Sequence, residues 1–146
     1  MLIRGMTIDD YDGVYQLWLN TPGMGLNDAD DSREGIAKYL RRNPGTCFVA
    51  EEDGAIVGVI LSGHDGRRGY IHHAAVALQE RGQGIGSRLL ASAVDALERE
   101  GIHKVALVVF AENLIGNAFW EKRGFSRRDD LIYRNKYINP LQRIDM

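Results

Sequence analysis

The chain has 146 residues, close to the usual size of one domain, and 45% of them are apolar, which is enough to build a core without disulfide bonds. Eighteen Lys and Arg against 20 Asp and Glu give a formal net charge of -2, so no overall basic field points to nucleic acid as a partner. The 17 glycines come with only 3 prolines, which is not typical of linkers or disordered chains. We therefore expect one domain over residues 1–146, in which the glycines have local backbone roles.

The cellular location is predicted from what the sequence lacks. No apolar run approaches the roughly 18 residues that cross a bilayer, and Met1–Arg4 is not typical of a signal peptide. The single cysteine, Cys47, has no internal partner for a disulfide and lies in the apolar run Thr46–Ala50, where a cysteine is usually a small buried hydrophobe. We expect a cytoplasmic protein without a membrane partner.

Helical periods dominate the first third of the chain. Leu2–Arg4 predicts a short strand, and Thr7 is placed to cap a helix whose apolar residues recur at helical spacing from Ile8 to Leu19. An acidic, loop-like segment follows over residues 20–31. A second helix is predicted from Ser32 to about Arg42, because its apolar residues share one side and a proline follows closely.

The middle of the chain changes to a strand period. Thr46–Glu51 and Ala55–Leu61 are predicted strands, and the turn Glu52-Asp53-Gly54 between them is typical of a hairpin. A second turn, Asp65–Gly69, leads into a third strand over Tyr70–Leu78. We therefore expect three neighbouring antiparallel strands.

The remaining elements alternate between helix and strand. A long helix is predicted from Gly84 to about Arg99, a strand over Lys104–Phe110, a helix over Asn113–Arg123 and a last strand over Leu131–Tyr137. The complete order is β-α-α-β-β-β-α-β-α-β. This order predicts a mixed α/β fold with a central, mostly antiparallel sheet flanked by helices.

Three glycines at alternate positions stand where the third strand passes into the long helix. They are Gly82, Gly84 and Gly86, and Arg81 directly precedes them. The first turn of a helix has unpaired N–H groups and a positive dipole end, and glycines let a bulky anion approach this backbone. The pattern indicates a pyrophosphate site, and the alternative is a simple tight turn.

The spacing of these glycines distinguishes between phosphate ligands. No GK[ST] sequence of a Walker loop is present, and Ser87 stands where a dinucleotide fingerprint needs its third glycine. In contrast, Arg81-x-x-Gly84-x-Gly86 resembles the [R/Q]-x-x-G-x-[G/A] signature of the GNAT superfamily of acyl-CoA-dependent N-acyltransferases. The segment from Asn113 to Phe125 resembles the family's N-x-x-A-x-x-x-Y-x-x-x-G-F pattern, with Gly116 at the alanine position and Trp120 at the tyrosine position. The predicted order of elements also matches this fold.

The resemblance implies an N-acetyltransferase that uses acetyl-CoA and no metal ion. In such enzymes the loop amides bind the pyrophosphate, the pantetheine arm pairs with the preceding strand, and one strand amide, here that of Ala74, faces the thioester carbonyl. The family's asparagine often touches the pantetheine region. The residues that match this cofactor site are Val76, Arg81, Gly82, Gln83, Gly84, Gly86, Ser87 and Asn113.

The strand before the glycine loop offers candidates for the acid and the base of the reaction. Strand alternation predicts that His72 and Tyr70 share the side of Ala74 while His73 points the other way, so a metal pair of histidines is not expected. His72 has the intrinsic pKa of a general base, or else it only packs within the strand. Family members often use a tyrosine to protonate the leaving thiolate, but Trp120 cannot donate a proton near pH 7. Water, Tyr70 or another tyrosine would then replace it.

Two alternatives to the enzyme remain open from the sequence. Trp120 is also compatible with a CoA-binding module without catalysis, and the glycine loop is compatible with a nucleotide-binding enzyme. The expected partner is a small-molecule or peptide amine, and a homodimer is possible. Asp28, Asp30 and Asp31 either recognise a cationic amine or, as we favour, lie in a solvated loop before a helix cap.

Overall fold

A five-stranded sheet organises the computed structural model, which describes residues 1–145. Neighbouring strands follow chain order, and they are β1 (Leu2–Gly5), β2 (Phe48–Glu52), β3 (Ala55–His64), β4 (Gly69–Val76) and β5 (Val105–Ala106). The first four strands are antiparallel, and β5 is parallel to β4. Four helices flank the sheet, α1 (Tyr11–Leu19), α2 (Arg33–Arg42), α3 (Ile85–Arg99) and α4 (Leu114–Lys122). The predicted mixed α/β class is confirmed.

The sheet separates two apolar cores. Val59 and Ala75 face the core that contains α1 and α2, with Trp18 fully buried in it. Ile60 and Ile71 face the second core, which contains α3. Because successive side chains of a strand point to opposite faces, one apolar strand can serve both cores. This explains why β3 is apolar along nearly its whole length.

The first turns of the helices and the first hairpin form as their local sequence predicts. The Ser32 hydroxyl accepts a hydrogen bond of 3.0 Å from the Gly35 N–H and caps α2. A short 3₁₀ turn over Ile8–Asp10 precedes α1, and the Asp10 carboxylate accepts from the Thr7 N–H. Asp53 and Gly54 join β2 to β3 with positive φ angles of 52° and 80°. These local predictions are confirmed.

A β-bulge interrupts the pairing of β3 with β4. Leu61 lies opposite His73, and the next residue of β3, Ser62, lies opposite Ile71. His72 is therefore the extra residue of β4. A bulge of this kind breaks the alternation of side chains along the strand.

Of the last two predicted strands, the first is too long and the second is wrong. The strand predicted over Lys104–Phe110 is reduced to the two residues of β5, since the chain leaves β4 after Ala106 and pairs with no other strand among residues 1–145. Leu131–Tyr137 forms no strand, because its backbone lies beside no partner and its apolar side chains are exposed. Within the described residues, no helix is long and apolar enough to span a membrane.

Candidate active site

The sheet opens between β4 and the segment that follows β5. The two strands pair only at Gly69 with Val105 and at Tyr70 with Ala106, so the rest of the β4 edge has no neighbouring strand among residues 1–145. The Ala77 N–H donates to the Val57 carbonyl on β3 at 2.9 Å. Since backbone groups alternate between the two edges of a strand, the N–H groups of Ala74 and Val76 point to the open edge.

The loop that leaves this strand presents a row of free N–H groups. None of the backbone N–H groups from Gly82 to Ser87 has an acceptor among residues 1–145. Gly82 and Gly84 have φ angles of 83° and 80°, a left-handed conformation that disfavours other residues, and no atoms lie within 4 Å of the position that a Cβ would take. The loop is exposed at the positive end of α3, which suits an anion.

The side chains of Arg81 and Gln83 contact residues that precede the loop. The Arg81 Nε donates to the Val76 carbonyl at 3.3 Å, so this cation is held at the end of β4, beside the open edge. The Gln83 side chain reaches only Glu80, at 3.4 Å. Both side chains are exposed, and Arg81 adds positive charge next to the free N–H groups.

Gly86 and Ser87 connect the start of α3 to α4. A Cβ on Gly86 would lie 3.0 Å from the Phe119 ring, so this glycine also permits the two helices to pack. The Ser87 hydroxyl accepts from the Arg123 Nε at 2.9 Å and from its Nη2 at 2.6 Å. The same guanidinium lies 3.8 Å above the Phe119 ring.

From the sequence, Arg123 is one of several scattered arginines that could offset the charge of CoA, and it is not among the predicted cofactor-site residues. It lies just beyond the last turn of α4, and only the fold brings it to the first turn of α3. In the sequence it stands directly before Gly124, in the segment that resembles the family's second pattern. It places a cation beside the row of free N–H groups.

Asn113 and Trp120 have structural contacts of their own. The Asn113 Oδ1 accepts from the Gly116 N–H at 2.9 Å and caps α4, and a Cβ on Gly116 would come within 2.6 Å of the Asn113 Nδ2. The Trp120 ring packs edge-on against Phe119 and Phe125, in the core on the α3 side of the sheet.

The two histidines of β4 lie on the same face of the sheet, which corrects the sequence prediction. The His72 ring lies 4.6 Å from the Tyr70 ring and 5.3 Å from the Tyr39 ring of α2, while the His73 ring lies 4.9 Å from Trp18 of α1. Ala74 instead packs with the α3 core. The bulge causes this change, because its extra residue breaks the alternation of side chains between His72 and His73, so that both histidines and Tyr70 lie on one face and Ala74 lies on the other.

The surroundings of His72 and Tyr70 change the pKa values of both side chains. Burial between the aromatic rings lowers the pKa of His72, the neighbouring His73 lowers it further, and Asp31 and Asp30 oppose both effects. Part of His72 nevertheless remains exposed to solvent. Burial also raises the pKa of Tyr70, so its hydroxyl keeps the proton at neutral pH. A neutral imidazole thus lies beside a protonated phenol.

Asp31 contradicts the prediction of a solvated acidic loop. Asp28 and Asp30 are exposed, but Asp31 is only 4% exposed, and its Oδ1 lies 2.8 Å from the His73 Nε2. The sequence did not distinguish it from its neighbours, because only the fold turns its side chain inward.

Within the described part of the chain, no group of three His, Cys, Asp or Glu side chains could hold a metal ion. Burial raises the pKa of Cys47 to about 12, so its thiol is not a nucleophile at neutral pH.

Comparisons with known proteins agree with this fold. The model of the acetyltransferase (GNAT) family matches residues 11–125. An acetyltransferase of Sodalis glossinidius is 30% identical over 138 residues, which cover 94% of this chain and 96% of that protein. The PaiA N-acetyltransferase from Thermoplasma acidophilum, solved in complex with coenzyme A, has a similar fold with a TM-score of 0.77 and 19% identity, over 88% of this chain and 91% of that one. The chain therefore belongs to the GNAT family of acetyltransferases.

Proposed function

We propose that this protein transfers the acetyl group of acetyl-CoA to a primary amine. The observation that carries the proposal is the row of acceptor-free N–H groups from Gly82 to Ser87, which continues from the open edge of β4. A pyrophosphate fits the row, and an extended pantetheine arm fits the edge as an added strand. Arg81 and Arg123 offset the negative charge of CoA.

Two backbone groups of β4 orient the thioester. Val76 pairs with the pantetheine arm through its edge-facing backbone groups, after Arg81 releases the Val76 carbonyl. The Ala74 N–H donates to the thioester carbonyl oxygen. A fixed donor aimed at the developing negative charge stabilises the transition state more than the ground state.

His72 removes the proton that the amine loses on attack. The amine nitrogen forms a bond to the carbonyl carbon, the proton passes to the His72 imidazole directly or through one water, and the carbon–sulfur bond breaks. The lowered pKa of His72 leaves its imidazole neutral and able to accept this proton at neutral pH.

Tyr70 is our candidate for protonating the thiolate that leaves. Its hydroxyl keeps its proton at neutral pH, and its ring lies against His72. Water replaces Tyr70 at modest cost because a thiol, with a pKa of about 8.5, is a competent leaving group. Trp120 has no catalytic role in this proposal, since it packs on the other face of the sheet and its N–H is not acidic.

An acceptor screen tests the proposed function. Purified protein is incubated with acetyl-CoA and a panel of small amines and peptides with free amino groups, and the released CoA thiol is measured. Release that depends on one class of amine supports acetyl transfer. Tight CoA binding without turnover on any amine would favour the CoA-binding module, and stabilisation by ATP or NAD but not by CoA would favour a nucleotide-binding enzyme.

The acceptor, the assembly and the location complete the proposal. We place the amine, small or peptidic, at the His72 face, where the exposed Asp28 and Asp30 of the adjoining loop attract a cation.

We propose a cytoplasmic homodimer, and the exposed Ile132 and Ile138 of the C-terminal segment support association of two copies. Sedimentation of the protein and of its Ile138→Asp variant tests this, since a monomer in both would contradict it.

A further inference from the structure

A buried polar pair connects the loop over residues 20–31 to β4. The side chains of Asp31 and His73 are 5% and 10% exposed, and the Asp31 Oδ1 lies 2.8 Å from the His73 Nε2. The other carboxylate oxygen of Asp31 accepts from the Asn27 N–H at 2.8 Å, and the Asp31 carbonyl accepts from the Tyr11 hydroxyl at 2.6 Å. One residue thereby joins the loop, α1 and β4.

The pair acts on β4 at the point where the strand is irregular. His73 lies opposite Leu61 at the bulge, directly between His72 and Ala74. His72, the extra residue of the bulge, has no partner on β3, so side-chain contacts of its neighbour His73 contribute to how the strand is held at this point. The His73 side chain has such contacts, one hydrogen bond to Asp31 and one ring contact with Trp18.

We propose that Asp31 and His73 are positioning residues for acetyl transfer, whose hydrogen bond holds the bulge so that the His72 ring and the Ala74 N–H point at the reacting groups. This inference rests on the proposed function and adds two residues that contact neither the amine nor CoA. A carboxylate only accepts hydrogen bonds, so the His73 Nε2 carries the hydrogen of this bond. A side chain that donates from the same place preserves the bond, and one that only fills the space does not.

Two variants of His73 separate the hydrogen bond from packing. His73→Gln retains an N–H donor toward Asp31, and we expect its kcat to stay within about threefold of the wild-type value. His73→Phe keeps the ring contact with Trp18 but lacks the donor. We expect its kcat to fall by about tenfold to a hundredfold, the usual effect of misplacing reacting groups by an ångström or less. The Kd for CoA, which depends on the loop from Gly82 to Ser87, stays within twofold in both.

Two further variants control for stability. His73→Phe leaves a buried carboxylate without its partner, which by itself destabilises a protein. The double variant His73→Phe/Asp31→Asn contains no such charge, and we expect it to fold with the same low kcat. Asp10→Asn breaks a comparable ion pair with Arg4, in which the Asp10 side chain is 9% exposed, beside β1 and separated from β4 by two strands. We expect it to lower the Tm without lowering kcat.

The outcomes decide the inference independently of the proposed function. A wild-type kcat in His73→Phe, or equally low values in the Gln and Phe variants at equal Tm, would overturn the positioning role. If the wild-type protein transfers no acetyl group, the proposed function fails instead. NMR shifts of the His72 ring and of the Ala74 amide need no turnover, and they still decide positioning. We expect them to move in His73→Phe and not in His73→Gln.

Discussion

Two adjacent histidines show how strongly environment separates residues of one type. His72 is partly exposed between two tyrosine rings, while the His73 side chain is nine-tenths buried against Trp18 and Asp31. The first environment suits reversible proton transfer at the surface of a site, and the second suits a fixed hydrogen bond. Residue type and intrinsic pKa alone would not assign these two roles.

The lowered pKa of His72 predicts a pH dependence. A base must be unprotonated, so kcat/KM is expected to fall as the pH drops through the pKa of His72, and this acid limb should lie below the ordinary value of about 6.5. His72→Ala should lose this limb and lower kcat/KM by about a hundredfold or more. The matched control is His103→Ala, an exposed histidine that precedes β5 and lies outside the cluster around His72, which should leave the profile unchanged. An unaltered profile in His72→Ala would remove this base.

A second prediction concerns Gly84, where the backbone conformation and the anion site coincide. Gly84→Ala places a Cβ in a left-handed conformation, at a cost of about 1 to 2 kcal/mol, and we expect the loop to relax away from the geometry that aligns its N–H groups. Gly54→Ala is the control, since Gly54 also has a φ of 80° and open space around its Cβ position but lies in the β2–β3 turn. Calorimetry should show similar losses of stability and a more than tenfold weaker Kd for CoA only in Gly84→Ala. Equal CoA affinity in both variants would refute the phosphate site.

The start of α3 is packed against α4. Gly86 brings the first turn of α3 against Phe119, and Arg123 holds the two helices together through the Ser87 hydroxyl. This contact sets where the positive end of α3 lies relative to α4. The glycine pattern thus contains two kinds of position, one for backbone conformation and one for close packing.

A substitution at Gly86 tests the packing role. Gly86→Ala places a methyl group 3.0 Å from the Phe119 ring, and we expect a loss of about 1 to 3 kcal/mol in the free energy of unfolding as the ring is displaced. Gly45→Ala is the control, because nothing lies within 4 Å of its Cβ position. Adding Phe119→Leu should recover part of the loss in denaturant titrations. The packing role would be excluded if Gly86→Ala were as stable as Gly45→Ala.

The candidate site lies where the sheet stops being continuous, between β4 and β5. β2, β3 and β4 contribute residues to cores on both faces, and β5 pairs with β4 over two residues only. The open edge of β4 presents backbone groups to a ligand while β3 secures the opposite edge. An unpaired strand edge is a template for an extended partner, and in this molecule it lies beside the anion-binding loop.

Hydrogen exchange tests this arrangement across the molecule. The Ala74 and Val76 N–H groups point to the open edge and should exchange readily in the free protein, whereas the Ala75 N–H points to β3 and should already be protected. Saturating CoA should slow exchange at Val76 and at residues 82–87 by tenfold or more, with little change at Ala75. Protection that rises equally at Ala75 and Val76 would indicate general stabilisation without pairing at the edge.

Local signals in the sequence determined most of the elements and the glycine loop that precedes α3. Ser32, the Asp53-Gly54 turn and the helical spacing after Gly84 act over a few residues, so they predict structure without knowledge of the fold. Tertiary structure alone decided which face His72 occupies, that Asp31 is buried and that Arg123 meets Ser87. It also decided that β5 ends at Ala106. These features depend on strand register and on contacts between distant parts of the chain, which no short stretch of sequence encodes.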